Sequence, residues 1–188
     1  MLLSKNLTIE ELHQVGFKAI GTNVTINQTV LIAGNPTNIS LASNVKIDAY
    51  TILHVTGPLE IGNYVHIGDH CFIGAGNGVR FDDFSGVSQG VRIYSGTDDF
   101  SGEYMTNPTV PRHLLGNMKA PVYLGKHVAI GSGSIVLPGV NLHEGVAITA
   151  LSLVNRSMPE WTICAGIPAR PVSARKREPL ELCKRLLP

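Results

Sequence analysis

Seven histidines, fourteen carboxylates and three cysteines carry most of the reactive chemistry in this 188-residue chain. An imidazole with an ordinary pKa near 6.5 suits general-base work at neutral pH. His54, His66, His70, His127 and His143 fall at non-aliphatic phases of a six-residue repeat, so they are expected to point outward. His13 precedes the repeat and His113 lies in a long interruption of it. No pair combines ligand spacing with a carboxylate partner, so no metal is expected. Cys71, Cys164 and Cys183 are far apart and odd in number, which fits reduced thiols in a cytoplasmic chain, with neither zinc spacing nor a disulfide framework. The interruption itself, residues 96–120 (GTDDFSGEYMTNPTVPRHLLGNMKA), is polar and aromatic. A carboxylate with a pKa of about 3.9 is a poor base for an alcohol, but it can hold and orient an amine that is already partly neutral.

Such groups need a scaffold, and composition narrows the choice. Charged residues are only 15% of the chain, while Gly reaches 20 and Pro 11, a mix that points to short strands and many turns. The net charge of +1 gives no field that would gather nucleic acid or an anionic membrane. No apolar run reaches the roughly 18 residues of a membrane span, and Met1–Lys5 does not read as a secretory signal. An aliphatic residue recurs every six positions at Ile61, Ile67, Ile73 and Val79, fails at Ser85 and resumes at Val91. It then holds for six units, Leu124, Ile130, Val136, Leu142, Ile148 and Val154, with weaker runs from Ile20 and Leu41. A period of six fits a short strand plus a corner, three units closing one triangular turn of eighteen residues. Gly after the aliphatic residue suits those corners. The expected fold is all-β, a parallel β-helix. An N-terminal cap spans 1–19, the helix spans 20–170 with its excursion at 96–120, and a tail spans 171–188. In the tail, Leu180, Leu182 and Leu186 suggest a short helix capping the open end.

The segment 121–170 resembles the hexapeptide-repeat acyltransferases, through PVYLGKHVAIGSGSIVLPGV, then GVAITALSLVNRSMPEWTICAGIPARP with its closing AGIPARP turn. The resemblance implies a left-handed helix, a homotrimer with active sites between subunits, and acetyl-CoA or another acyl-CoA as cosubstrate. By motif position it implies that Ser132, Ala150, Asn155 and Arg156 line the cofactor, with Arg170 and Arg175 facing its phosphates or adenine. An outward histidine lining a neighbour's cleft, His66 first among them, is the alternative source of a base.

Most sugar O-acetyltransferases of that family carry a histidine beside the long loop; here the stretch is Tyr94–Asp99, and Asp98 stands in its place. The run FSGVSQGVRIYSGTDDFSGEYMTNPTVP is similar to the N-acyltransferases of anthrose and viosamine biosynthesis, which act on dTDP-4-amino-4,6-dideoxyglucose. That likeness implies Asp98 at the amine, Ser88 beside the amine or Asp98, and an oxyanion met by backbone N–H groups near Gly131–Gly133. Tyr94, Asp99, Glu103, Tyr104 and Asn107 are candidates to hold the nucleotide-linked amino sugar. A capping carboxylate in the Gly-Thr-Asp-Asp turn is the plain structural role for Asp98. The expected function is CoA-dependent N-acylation of such a sugar for surface polysaccharide. Two alternatives stand beside it: O-acetylation of a lipopolysaccharide or capsule hydroxyl, and a non-catalytic β-helix.

Overall fold

The computed structural model describes residues 4–186. Three sheets of six, eight and six strands wrap around one axis, and each turn adds one parallel strand to each sheet. Inward side chains stack in columns. Ile20, Leu41, Ile61, Phe81, Leu124 and Leu142 form the first. Ile26, Ile47, Ile67, Val87, Ile130, Ile148 and Cys164 form the second. Ile32, Leu53, Ile73, Ile93, Val136 and Val154 form the third. Nearly all are fully buried, and each such side chain stabilises the fold by about 1.5–3 kcal/mol. A short helix, α1 (Ile9–Gln14), closes the N-terminal end with a Thr8–Glu11 capping box and buried Leu12.

The β-helix is as the repeat predicts, but its phase is not. The spacing carries the inner column from Ile73 to Val79 and Val91; the structure carries it to Phe81, Val87 and Ile93. Leu41, Ile61 and Phe81 are 20 residues apart, and the 18-residue turn appears only later, from Leu124 to Leu142. Two residues are inserted at the corner Gly76–Gly78. The slip is masked in sequence because the position two residues before a column member is often apolar too, as at Leu59, Val79 and Val122. Ser85 sits in that second row, fully buried, and its Oγ donates to the Asp82 carbonyl at 2.6 Å.

Glycine follows the aliphatic residue for a different reason from the one the pattern suggests. A Cβ on Gly131 would lie 2.4 Å from the Ala150 nitrogen, and one on Gly62 2.9 Å from the Asp83 nitrogen. The next turn leaves no room there. The left-handed torsions come two residues later, at Tyr64, Phe84 and His127 (φ 57°, 61° and 60°). Each costs roughly 1–2 kcal/mol in an L-residue. The rings offset much of this by stacking along the axis, Tyr64 on Phe84 at 4.9 Å and Phe84 on His127 at 5.2 Å, each pair adding about 0.5–1.5 kcal/mol. His127 is therefore not outward in the sense expected. It is 9% exposed, and burial pushes its pKa down.

The third corner, between the third sheet and the first, is the one that varies. It holds Gly76–Gly78 in one turn and the whole excursion in the next, leaving after Ser95 and rejoining at Pro121. The exit is anchored: Ser95 Oγ donates to the Gly74 carbonyl at 2.6 Å and accepts from Asn77 N at 2.9 Å. Just beyond, Gly96–Asp98 and Asn117–Lys119 pair as an antiparallel ribbon. At the C-terminal end, Thr162–Gly166 and Ala169–Ala174 form a hairpin on the second sheet. Helix α2 (Glu178–Leu186) then lies on the flank, with Cys183 Sγ 3.9 Å from His127 Nε2, and so does not take the end-capping place expected of it. Its tether is Arg175, whose guanidinium donates to the carbonyls of His127 and Gly145 at 2.7 and 3.1 Å. Residues 1–3 of the cap and 187–188 of the tail lie outside the described residues.

The close approach of successive turns makes a specific forecast. Gly131→Ala should destabilise the protein by about 1–3 kcal/mol, because the backbone of the next turn must shift. Gly76→Ala, whose Cβ would meet only the Thr56 hydroxyl at 3.4 Å, should change the denaturant midpoint little. Equal effects in urea unfolding would show that turn spacing is not what the glycine serves.

Candidate active site

Two adjacent carboxylates open the excursion, and the structure divides their labour. Asp99 is the capping residue. Its Oδ1 accepts from Ser101 Oγ at 2.8 Å and Ser101 N at 3.2 Å, and its Oδ2 from Gly102 N at 3.2 Å. The Ser101 hydroxyl, then the backbone amides, hold its pKa below the usual carboxylate value of 3.8. That turn is the role considered for Asp98, and it removes Asp99 from the candidates with a free carboxylate. Asn107 is likewise occupied, accepting from Thr109 N and Oγ1 at 2.8 and 2.6 Å. Asp98, half-buried at the end of the ribbon's first strand, has no side-chain hydrogen bond or ion pair among the described residues.

Asp98 stands between two clefts. One, of about 380 Å³, is polar and lined by Asn77, Tyr94, Gly96, Thr97, Asp98, Asn117 and Lys119. The other, of about 490 Å³, is more apolar, with Phe100, Tyr104, Met118 and Leu137. Tyr94 packs on Phe72 at 5.2 Å and gives the polar cleft an aromatic wall. Glu103 is exposed farther along the loop and lines neither. Sequence spacing gives no sign of Asn117 and Lys119, because only the pairing of the excursion's two ends brings them beside Asp98. No histidine lines either cleft.

Ser88 lies elsewhere, in a groove of about 610 Å³ along the second sheet, with His66, Gly86, Ala129 and Gly131. Its backbone is tied to Ile130, while its Oγ has no partner among the described residues. Within one chain, Ser88 and Asp98 share neither a hydrogen bond nor a cleft. His66 in the same groove is paired, with Nε2 2.6 Å from Asp48 Oδ2. Although partial burial works against it, that bond and the one from Lys46 hold the Asp48 pKa low.

The proposed cofactor residues cluster only in part. Ser132 and Ala150 occupy the same corner in successive turns, and Leu151 N donates to the Ser132 carbonyl at 2.9 Å. Ser132 Oγ donates to Gln89 at 3.0 Å, a partner the sequence did not point to. The hairpin carrying Arg170 reaches this corner through Gly166 N on Ser152 Oγ at 3.2 Å. Asn155 and Arg156 are exposed beyond the last strand of the third sheet. Arg175 is committed to the tail clasp described above. Of the amides suggested for an oxyanion, Gly131 N and Gly133 N already donate to Ile148 and Gln89; Ser132 N is left without an acceptor among the described residues. No group of three or more metal-ligating side chains occurs among the described residues, and no helix among them is long and apolar enough to cross a membrane.

No family model matches the chain, but individual proteins do. It is 42% identical to the dTDP-4-amino-4,6-dideoxy-D-glucose acyltransferase of Escherichia coli, over 92% of this chain and 90% of the relative. Structures of AntD, an N-acyltransferase from Bacillus cereus, superpose throughout. One in complex with dTDP and 3-hydroxybutyryl-CoA has a TM-score of 0.94 at 38% identity, covering 98% of this chain and 97% of that one. A variant in complex with dTDP-4-amino-4,6-dideoxyglucose and coenzyme A has a TM-score of 0.95 at 37% identity, covering 99% and 98%. AntD has been studied with an aspartate or a serine replaced, ten positions apart, the separation of Ser88 and Asp98. A maltose O-acetyltransferase from Clostridium difficile, at 22% identity and a TM-score of 0.57, shares the fold.

The division between the carboxylates is testable without substrate. Because its folded-state pKa is depressed, Asp99 supports the loop turn fully above the ordinary carboxylate range, and the support is lost as pH falls through the depressed value. Asp99→Ala should speed hydrogen exchange at Gly102 and Tyr104 roughly tenfold at neutral pH, while amides of the solenoid core stay protected. The same change in Asp98→Ala would mean that the capping role is misassigned.

Proposed function

The chain belongs to the dTDP-4-amino-4,6-dideoxyglucose acyltransferases, hexapeptide-repeat enzymes that use acyl-CoA, and on that premise we propose that it N-acylates a dTDP-linked 4-amino-4,6-dideoxy sugar at Asp98. The observation that carries the assignment is the Asp98 carboxylate, without a partner among the described residues, at the mouth of two clefts to which its own chain brings no histidine. An amine with a pKa near 8 is about one-tenth neutral at pH 7. It attacks the thioester carbonyl with its own lone pair and needs orientation more than activation. Asp98 accepts a hydrogen bond from that nitrogen and aims it. The N–C bond forms, the carbonyl oxygen becomes an oxyanion, and the C–S bond breaks. Coenzyme A leaves as the thiolate, and the nitrogen sheds its proton toward it. Ser132 N–H, at the corner where Ser132 and Ala150 would admit the pantetheine arm, is the amide with capacity for the oxyanion.

Ser88 belongs to this site only if two chains build it. Its absence from the Asp98 clefts within one chain supports a homotrimer in which one subunit's ribbon meets a neighbour's second-sheet groove. Arg170, Asn155 and Arg156 remain candidates for the cofactor's phosphates, acetyl is the proposed acyl group, and the product would feed surface polysaccharide from the cytoplasm. A hydroxyl acceptor would instead call on the His66–Asp48 pair, the one histidine–carboxylate contact in the Ser88 groove.

Thiol release from acetyl-CoA with dTDP-4-amino-4,6-dideoxyglucose tests this directly. Asp98→Asn and Asp98→Ala should each slow turnover by about 10²–10⁴-fold, while His66→Ala stays near wild type. A collapse in His66→Ala with Asp98→Asn unaffected would select the hydroxyl reading.

The shared site makes a second forecast. Co-folded mixtures of Ser88→Ala and Asp98→Asn chains should regain about a quarter of wild-type turnover, since a random assembly pairs an intact Ser88 with a neighbour's intact Asp98 in that fraction of sites. No recovery in mixed oligomers would place both residues in a single-chain site.

A further inference from the structure

The ribbon that presents Asp98 presents one more charge on the same side. In its register Gly96 faces Lys119 and Asp98 faces Asn117, so Asp98, Asn117 and Lys119 project from one face while Thr97 and Met118 project from the other. Position 96, across from Lys119, is glycine; a Cβ there would lie 2.9 Å from Asn77 Nδ2, so the Asn77 side chain forms the cleft wall at that point. Lys119 is exposed and has no ion-pair partner among the described residues, and Asp98 has none either. Diagonal positions on an antiparallel pair are about 7–8 Å apart between backbones, which leaves two opposite charges on one cleft face without a direct contact.

We infer that Lys119 is the residue that recognises the diphosphate of the acceptor, and that it acts with Asp98 as a two-point charge clamp on an aminosugar nucleotide. This rests on the reading of the site given above. The matching ligand must carry an anion and an amine on opposite sides of a small rigid unit. A nucleotide-linked 4-amino sugar does so: the diphosphate leaves from the anomeric carbon, and the amine lies across the ring. The lysine ammonium serves as a point charge for phosphate oxygens, and the Tyr94 ring, in the same cleft, offers a face for the base. The clamp fixes which end of the sugar reaches Asp98, so it is a specificity device as well as a source of affinity.

Coenzyme A also carries phosphates, and binding measurements separate the two sources. By calorimetry, Lys119→Met should weaken dTDP binding about tenfold or more, with coenzyme A affinity changed less than about twofold and the melting temperature unchanged. Lys119→Arg should retain most of the dTDP affinity. Asp98→Asn should leave dTDP affinity intact, since dTDP has no amine. In turnover, Lys119→Met should raise KM for the amino sugar far more than it lowers kcat. Unchanged dTDP affinity in Lys119→Met, or a loss confined to coenzyme A, would overturn the inference while leaving the acyltransferase reading in place. A wild-type protein that neither binds dTDP nor acylates the amino sugar would overturn both.

Discussion

The axial stacking of one turn on the next governs everything else in this molecule. Each strand is only two to six residues long and satisfies its backbone groups almost wholly with the turns above and below, as in Gly131 N to the Ile148 carbonyl at 2.8 Å. Such a spacing, near 4.8 Å, leaves no freedom along the axis. It puts aliphatic side chains in columns, demands glycine where backbones approach, and lines up the left-handed corners so that Tyr64, Phe84 and His127 stack. A side chain in this frame is tolerated or excluded by its neighbour one turn away, not by its neighbour in sequence.

The same constraint decides where chemistry can sit. The interior is a closed apolar column, and its few polar groups are consumed by corner bonds, as with Ser85 and Ser95. Reactive groups are left to the outer face of the sheets and to the one corner whose length varies. The excursion uses that corner, and its anchored root carries the solenoid's rigidity outward into the ribbon. Asp99 uses its carboxylate to fold the loop back, while Asp98 beside it has no partner among the described residues.

The period of six made the solenoid legible, because no helix or hairpin produces it. The phase slip at Gly76–Gly78 was not legible from the aliphatic spacing, since Val79 and Val91 of the second row continue the period of six while the column itself moves to Phe81 and Ile93. The aspartate at the loop entrance was visible as a departure from the histidine that the resemblance to sugar O-acetyltransferases implies there. Which of the two adjacent aspartates caps the turn was not, because both types of contact suit either position in a Gly-Thr-Asp-Asp run. The burial of His127 is not legible in the repeat, because it comes from the returning tail and the corner stack, both long-range. The placement of Lys119 and Asn117 beside Asp98 is hidden for the same reason: register across the excursion is a tertiary fact.

A carboxylate with no histidine beside it would be a weak device for moving a proton from an alcohol, and a sufficient one for holding an amine. With a tenth of the amine already neutral at pH 7, the protonation equilibrium costs about 1.4 kcal/mol, the free energy of one tenfold step. Correct placement of the reacting atoms is worth up to about 7–11 kcal/mol. The larger quantity is the one a stack of rigid turns can deliver, through a ribbon whose root is fixed to the Gly74 carbonyl and the Asn77 side chain. On the proposed reading the demand on Asp98 is positional, and the turn-to-turn register that denies the scaffold any axial freedom is also what would meet that demand.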